Sequence, residues 1–183
     1  MTRATNARIA GFTFLLYIAA GVTVLAVGGA AGAGGAAKLA RVVSALLCQF
    51  AALVLAVTLY RITCDEDRDI ALLAMTCRVG EGVVGAVATS IVTSASFFAV
   101  GSALFCWLLL RGRMIPVSLA WLGVVASVLL VVGVPLQMAD LVGRPVTMLM
   151  WIPMAAFEVV CALWLIIKGV AISAPRIPLG GAT

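Results

Sequence analysis

The chain has 183 residues, of which 64% are hydrophobic and only 10% charged, and its mean hydropathy is +1.24. A soluble domain is about half apolar and about a quarter charged, so the composition excludes an ordinary soluble fold and points to an integral membrane protein. The formal charge is +5, but there is no Lys/Arg-rich run and no histidine. This argues against a nucleic-acid partner and removes the histidine-based catalytic triads.

Six apolar stretches are each close to the roughly 20 residues that a membrane helix needs. They predict spans at 9–27, 39–60, 70–91, 94–110, 117–138 and 146–168. The first follows the basic start "MTRATNAR". It is longer than the core of a signal peptide, about 7–15 residues, and is read as a retained helix. "AVGGAAGAGGAA" (26–37) follows it as a flexible loop. That segment lacks the strand before it and the Lys-Ser/Thr ending of a phosphate loop.

The second span ends in the acidic loop "CDEDRD" (64–69), where Asp67 or Asp69 is placed to cap the third helix. The third span holds "MTCRVGEGVVGA" (75–86), with Arg78 and Glu81 inside an apolar run. Gly82, Ala86 and Ser90 are spaced four apart, which favours close approach of another helix. "ATSIVTSAS" (88–96) must turn if the third and fourth runs are separate spans. Pro116 and Pro145 stand at the starts of the fifth and sixth spans, while Pro135 and Pro153 lie inside them. Asp140 and Arg144 are read as a solvated loop pair. The four tryptophans are read mostly as interfacial anchors. The tail "SAPRIPLGGAT" (173–183) has the composition of a disordered segment.

Orientation follows from the Lys/Arg balance. With the N-terminus inside, eight basic residues (Arg3, Arg8, Arg61, Arg68, Arg111, Arg113, Lys168, Arg176) face the cytoplasm, against three outside (Lys38, Arg41, Arg144). The expected architecture is therefore an all-α, polytopic membrane protein: a bundle of about six transmembrane helices, N-in/C-in. Residues 1–8 form a cytoplasmic N-terminus, 9–169 the six-helix domain and 170–183 a cytoplasmic tail. The expected location is the bacterial inner (cell) membrane.

The five cysteines form no CxxC pair, and no metal or other cofactor is expected. The chemistry-bearing residues lie mid-span instead. Arg78 and Glu81 fall near the middle of the third span, Gln49 of the second, Glu158 of the sixth and Tyr17 of the first. Ser102 and Ser127 fall near the middles of the fourth and fifth. A charge at such depth costs several kcal/mol and must face protein or water. Arg78 and Glu81 are three apart and share a helix face. Two carboxylates against one arginine leave a net charge of minus one. The expectation is that either Glu81 or Glu158 carries a proton it can exchange.

Several segments read together: "ARIAGFTFLLYIAAGV" (7–22), "LAVTLYRI" (55–62), "ALLAMTCRVGEGVV" (71–84), "GSALFCWLLLRGRMIPVSLAWLGVVASV" (101–128) and "PMAAFEVVCALWLIIKG" (153–169). With these the chain resembles the bacterial membrane-protein family known as domain of unknown function 4386. The resemblance implies a helical membrane protein of about six spans, and Arg78, Glu81 and Glu158 match its recurrent polar positions. It implies no activity.

Three functions remain open on the sequence. One is binding or moving a small or lipid-like ligand, with a proton, at a mid-membrane site formed by Arg78, Glu81, Glu158, Gln49 and Tyr17. Another is an intramembrane enzyme using Glu81 or Glu158 as general acid on an apolar substrate. The third is a structural or assembly protein in which the charges only join helices. Its partners are the lipid bilayer and, on the first reading, a small-molecule or lipid ligand.

Overall fold

The computed structural model describes residues 2–28, 34–87 and 91–171. Among these residues all regular structure is helical. The helices are α1 (Arg3–Gly28), α2 (Gly35–Thr63), α3 (Arg68–Val87), α4 (Ile91–Arg111), α5 (Val117–Met138) and α6 (Arg144–Ile167). All six are long and apolar enough to cross a membrane. The protein is therefore a multi-pass helical bundle built for a lipid bilayer, where each backbone polar group must be satisfied within its own helix.

The helices outrun the apolar spans at several ends. α1 begins at Arg3 rather than at residue 9, because Thr2 caps it: the Thr2 hydroxyl accepts from the Thr5 N–H at 3.2 Å. α2 begins at Gly35 rather than 39, so the last part of the expected Gly/Ala loop is helical, and residues 29–33 lie outside the described residues. Its 29 residues correspond to roughly 43 Å, more than the hydrocarbon core. Hydropathy marks the lipid-facing part of a helix, whereas hydrogen bonds carry it on to a cap. α3 stops at Val87 rather than 91 and α4 resumes at Ile91, with 88–90 of the expected turn outside the described residues. Asp67, not Asp69, caps α3, accepting from the Ile70 N–H at 3.2 Å. α5 starts right after Pro116, and Pro145 lies in the first turn of α6. α5 and α6 run on through Pro135 and Pro153. The Arg144 side chain and residues 172–183 lie outside the described residues, and with them the Asp140–Arg144 pair and most of the expected tail.

Each helix packs on its neighbours in the chain, and α6 returns to pack on α1, which closes a ring of six. The closing seam depends on Gly11. A Cβ there would stand 2.7 Å from the Ala162 carbonyl and from Ile166, so only glycine lets α1 and α6 approach so closely. The buried faces recur at helical spacing: Phe98, Phe105 and Leu109 on α4, Ala120, Ser127, Leu130 and Val134 on α5, and Met154, Cys161 and Leu165 on α6. Large apolar side chains such as Phe50, Leu149 and Ile167 point outward and are exposed, as a lipid-facing surface requires.

The start of α1 and the segment after α6 meet at one end of the ring. Arg3 reaches the Ile62 carbonyl at 2.6 Å and the Met114 sulfur at 3.6 Å, and the Ala171 N–H donates to the Met114 carbonyl at 3.0 Å.

Candidate functional site

Side chains, not backbones, fill the middle of the ring. Among the described residues α3 does not pack directly on α1 or α6 across it, nor does α4 on α1 or α6. The space is bridged by large residues from four of the helices. Tyr17 (α1) stacks parallel to Phe98 (α4), with ring centroids 6.3 Å apart. Phe98 in turn meets Trp151 (α6) at 5.4 Å. Arg78 (α3) lies beside this aromatic row, its guanidinium carbon 4.8 Å from the Phe98 centroid and 5.5 Å from that of Tyr17. Both distances lie within the roughly 6 Å range of cation–π attraction.

The arginine stem has room because α4 is bare where it passes. A Cβ on Gly101 would stand 3.1 Å from Arg78 Cγ. Arg78 is 1% exposed and Glu81 4% exposed. Arg78 Nη1 lies 2.8 Å from Glu81 Oε2. The pair is held within one helix, since residues three apart share a face. It is a close charge contact without the alignment of a hydrogen bond. The other carboxylate oxygen, Glu81 Oε1, accepts from the Tyr17 hydroxyl at 2.6 Å. The Glu81 carbonyl accepts from the Ser94 hydroxyl at 3.0 Å, which ties α3 to α4. Glu81 thus links α1, α3 and α4.

Arg78 Nε, Nη1 and Nη2 are all buried and make no hydrogen bond among the described residues. Nη1 has the Glu81 charge beside it, whereas Nε and Nη2 have neither hydrogen bond nor ion pair. Glu158 (α6) is also buried, 6% exposed. It feels the attraction of Arg78 and the repulsion of Glu81, yet no ion pair within 4.0 Å joins it to Arg78 among the described residues. The two carboxylates expected to share one arginine are therefore unequal. Glu81 is engaged on both oxygens and Glu158 stands apart.

The other residues of the expected polar layer separate. Gln49 lies against the small face of α3: a Cβ on Gly85 would stand 2.6 Å from its amide nitrogen, and the Gln49 carbonyl approaches Gly82. No hydrogen bond joins Gln49 to either glutamate among the described residues. Ser127 is fully buried and donates to the Gly123 carbonyl of its own helix at 2.7 Å, the usual way a membrane helix satisfies a serine. Ser102 is part-buried on α4, and no hydrogen bond joins it to the charged pair among the described residues.

Phe98 and Trp151 are the residues that sequence reasoning missed. Trp151 lies near the start of α6 and read as an interfacial anchor, but it is part-buried and packs on the core through Phe98. Trp107 and Trp121 are exposed, as anchors are. Phe98 carried one usable signal: an aromatic ring close to mid-span, at the depth of Arg78.

The family described as Domain of unknown function (DUF4386) matches residues 90–169. Over these residues the chain resembles that family. The match covers α4, α5 and α6, and so includes Phe98, Trp151 and Glu158. Tyr17, Gln49, Arg78 and Glu81 lie outside it. No curated protein and no solved structure matches the chain.

Proposed function

We propose that the protein binds or moves a small or lipid-like ligand, together with a proton, at the polar centre of its helix ring. The observation that carries this reading is incomplete pairing at depth. Among the described residues Arg78 Nε and Nη2 have no partner, and Glu158 is buried without an ion pair. An unmade hydrogen bond in a buried site costs about 1–3 kcal/mol. Charges kept only to join helices would be expected to pair off, as Glu81 does. Groups left unpaired at such cost are suited to a transient partner. Arg78, Glu81 and Tyr17 would form the fixed part of the site, with Glu158 as its proton-carrying group and Gln49 at its edge.

We also place the protein in the bacterial inner membrane, with both ends in the cytoplasm. Residues 1–8 and 170–183 then flank the membrane domain on that side. The eight-to-three Lys/Arg bias supports this orientation.

The test is Glu158→Gln in the detergent-solubilised protein, read as melting temperature. Glutamine keeps the shape and removes both charge and exchangeable proton. The expected result is a melting temperature equal to or above that of the unaltered chain. A loss of several degrees would make Glu158 part of the structural framework and would end the proposal.

A further inference from the structure

Of the three Arg78 nitrogens that make no hydrogen bond among the described residues, Nη1 has a charge partner in Glu81, and Nε and Nη2 have none. In a guanidinium, Nε–H and one N–H of Nη2 point the same way in the plane of the group and form its side-on fork. The Glu81 carboxylate takes Nη1 on the opposite side. The side-on fork is left complete, buried and unused. We infer that the ligand of this site carries an oxyanion, a carboxylate or a phosphate, and docks it two-pronged on the Nε–Nη2 edge of Arg78. This rests on the ligand-binding reading above and narrows it to a chemical class.

The donor set dictates the class. Arginine offers donors and no acceptor, so the facing atoms must be acceptors. Two parallel donors suit two oxygens of one planar or tetrahedral group, the geometry in which arginine binds carboxylate and phosphate most strongly. A single carbonyl or hydroxyl oxygen would leave one donor unmet. The charge balance sets a condition. Arg78 and Glu81 cancel, so an incoming anion leaves the site at minus one, and an ionised Glu158 would make it minus two. Glu158 is buried and interacts electrostatically with both Arg78 and Glu81. An anion on the fork is favoured when Glu158 carries a proton, and is opposed when Glu158 is ionised. The surroundings also suit an anion with an apolar body, because the guanidinium lies beside Tyr17 and Phe98, with Trp151 packed on Phe98, within an apolar ring.

The experiment is a thermal melt of the full chain in a maltoside detergent against six probes. These are dodecanoate, dodecyl phosphate, dodecanol, dodecyltrimethylammonium, acetate and inorganic phosphate. At about 100 times its dissociation constant, a bound anionic amphiphile should raise the melting temperature by roughly 5–10 °C. Dodecanol and the ammonium amphiphile should raise it far less. Arg78→Lys keeps the charge but loses the fork, and should abolish the shift. Glu158→Gln imitates the protonated acid and should retain the shift or enlarge it. Equal shifts from acetate or inorganic phosphate would uphold the oxyanion and assign its source to free anions rather than lipid headgroups. If dodecanol stabilises as well as dodecanoate, the oxyanion inference falls while ligand binding stands. If no probe shifts the unaltered chain, both fall. Should Arg78→Lys fail to fold, the probe series on the unaltered chain and on Glu158→Gln still decides the matter.

Discussion

The same chemistry occurs twice in this protein, in two different solvents. At the end of the ring where α1 starts and α6 ends, Arg3 lies 3.7 Å from Asp65 and Arg111 lies 3.2 Å from Asp67. At the centre, Arg78 lies 2.8 Å from Glu81. The end pairs are open: the Asp65 side chain is 71% exposed and that of Arg111 39% exposed. The central pair has side chains only 2% and 6% exposed. Water and salt screen the first two, and each charge there has an alternative partner in solvent. The central charges have none, so whatever is not paired inside the ring stays unpaired. The comparison teaches that burial, more than distance, sets what an ion pair does. At the end it ties loop residues to helix ends; at the centre it neutralises Arg78 within α3 and leaves the rest of the guanidinium to the neighbouring helices.

The largest test of that contrast is Glu81→Gln. It leaves Arg78 as a buried cation without its ion-pair partner and should cost about 3–5 kcal/mol, as breaking a buried pair does. Reversible unfolding in mixed detergent micelles would measure it, and a loss below about 1 kcal/mol, the ceiling for exposed pairs, would erase the distinction. Tyr17→Phe comes next. It removes one hydrogen bond to a charged acceptor and should cost about 1.5–3 kcal/mol in the same measurement. A neutral result would mean that Glu81 is held by Arg78 alone. The smallest effect is expected from Arg111→Gln at the end of the ring, about 0–1 kcal/mol, shrinking further as salt is raised. The central substitutions should be insensitive to salt, and a shared salt dependence would break the comparison.

Much of this was readable along the chain because its causes are local. Arg78 and Glu81 had to share a face, since three residues bring a helix back to nearly the same side. The small residues after them had to admit a neighbour, and α2 takes that place, with Gln49 beside Gly82 and Gly85. The cap at Asp67 was half-readable, since two aspartates competed for one position. The cap at Thr2 was missed because the apolar span, not the cap, was taken as the start of α1. Trp151 was misread because nearness to a helix end does not say which way a ring points.

Composition and periodicity determined that this is a six-helix membrane protein with charges at mid-depth, because lipid imposes length and apolarity on each helix separately. They also determined the Arg78–Glu81 pair, which lies within a single turn of one helix. Only the tertiary structure decided that Tyr17 completes Glu81, that Tyr17 and Phe98 flank Arg78 with Trp151 packed on Phe98, and that Glu158 stands apart. Those relations depend on the order of helices around the ring and on the rotation of each about its axis. Both are set by close approaches such as Gly11 on α6 and Gly101 on the Arg78 stem, between residues far apart in the chain.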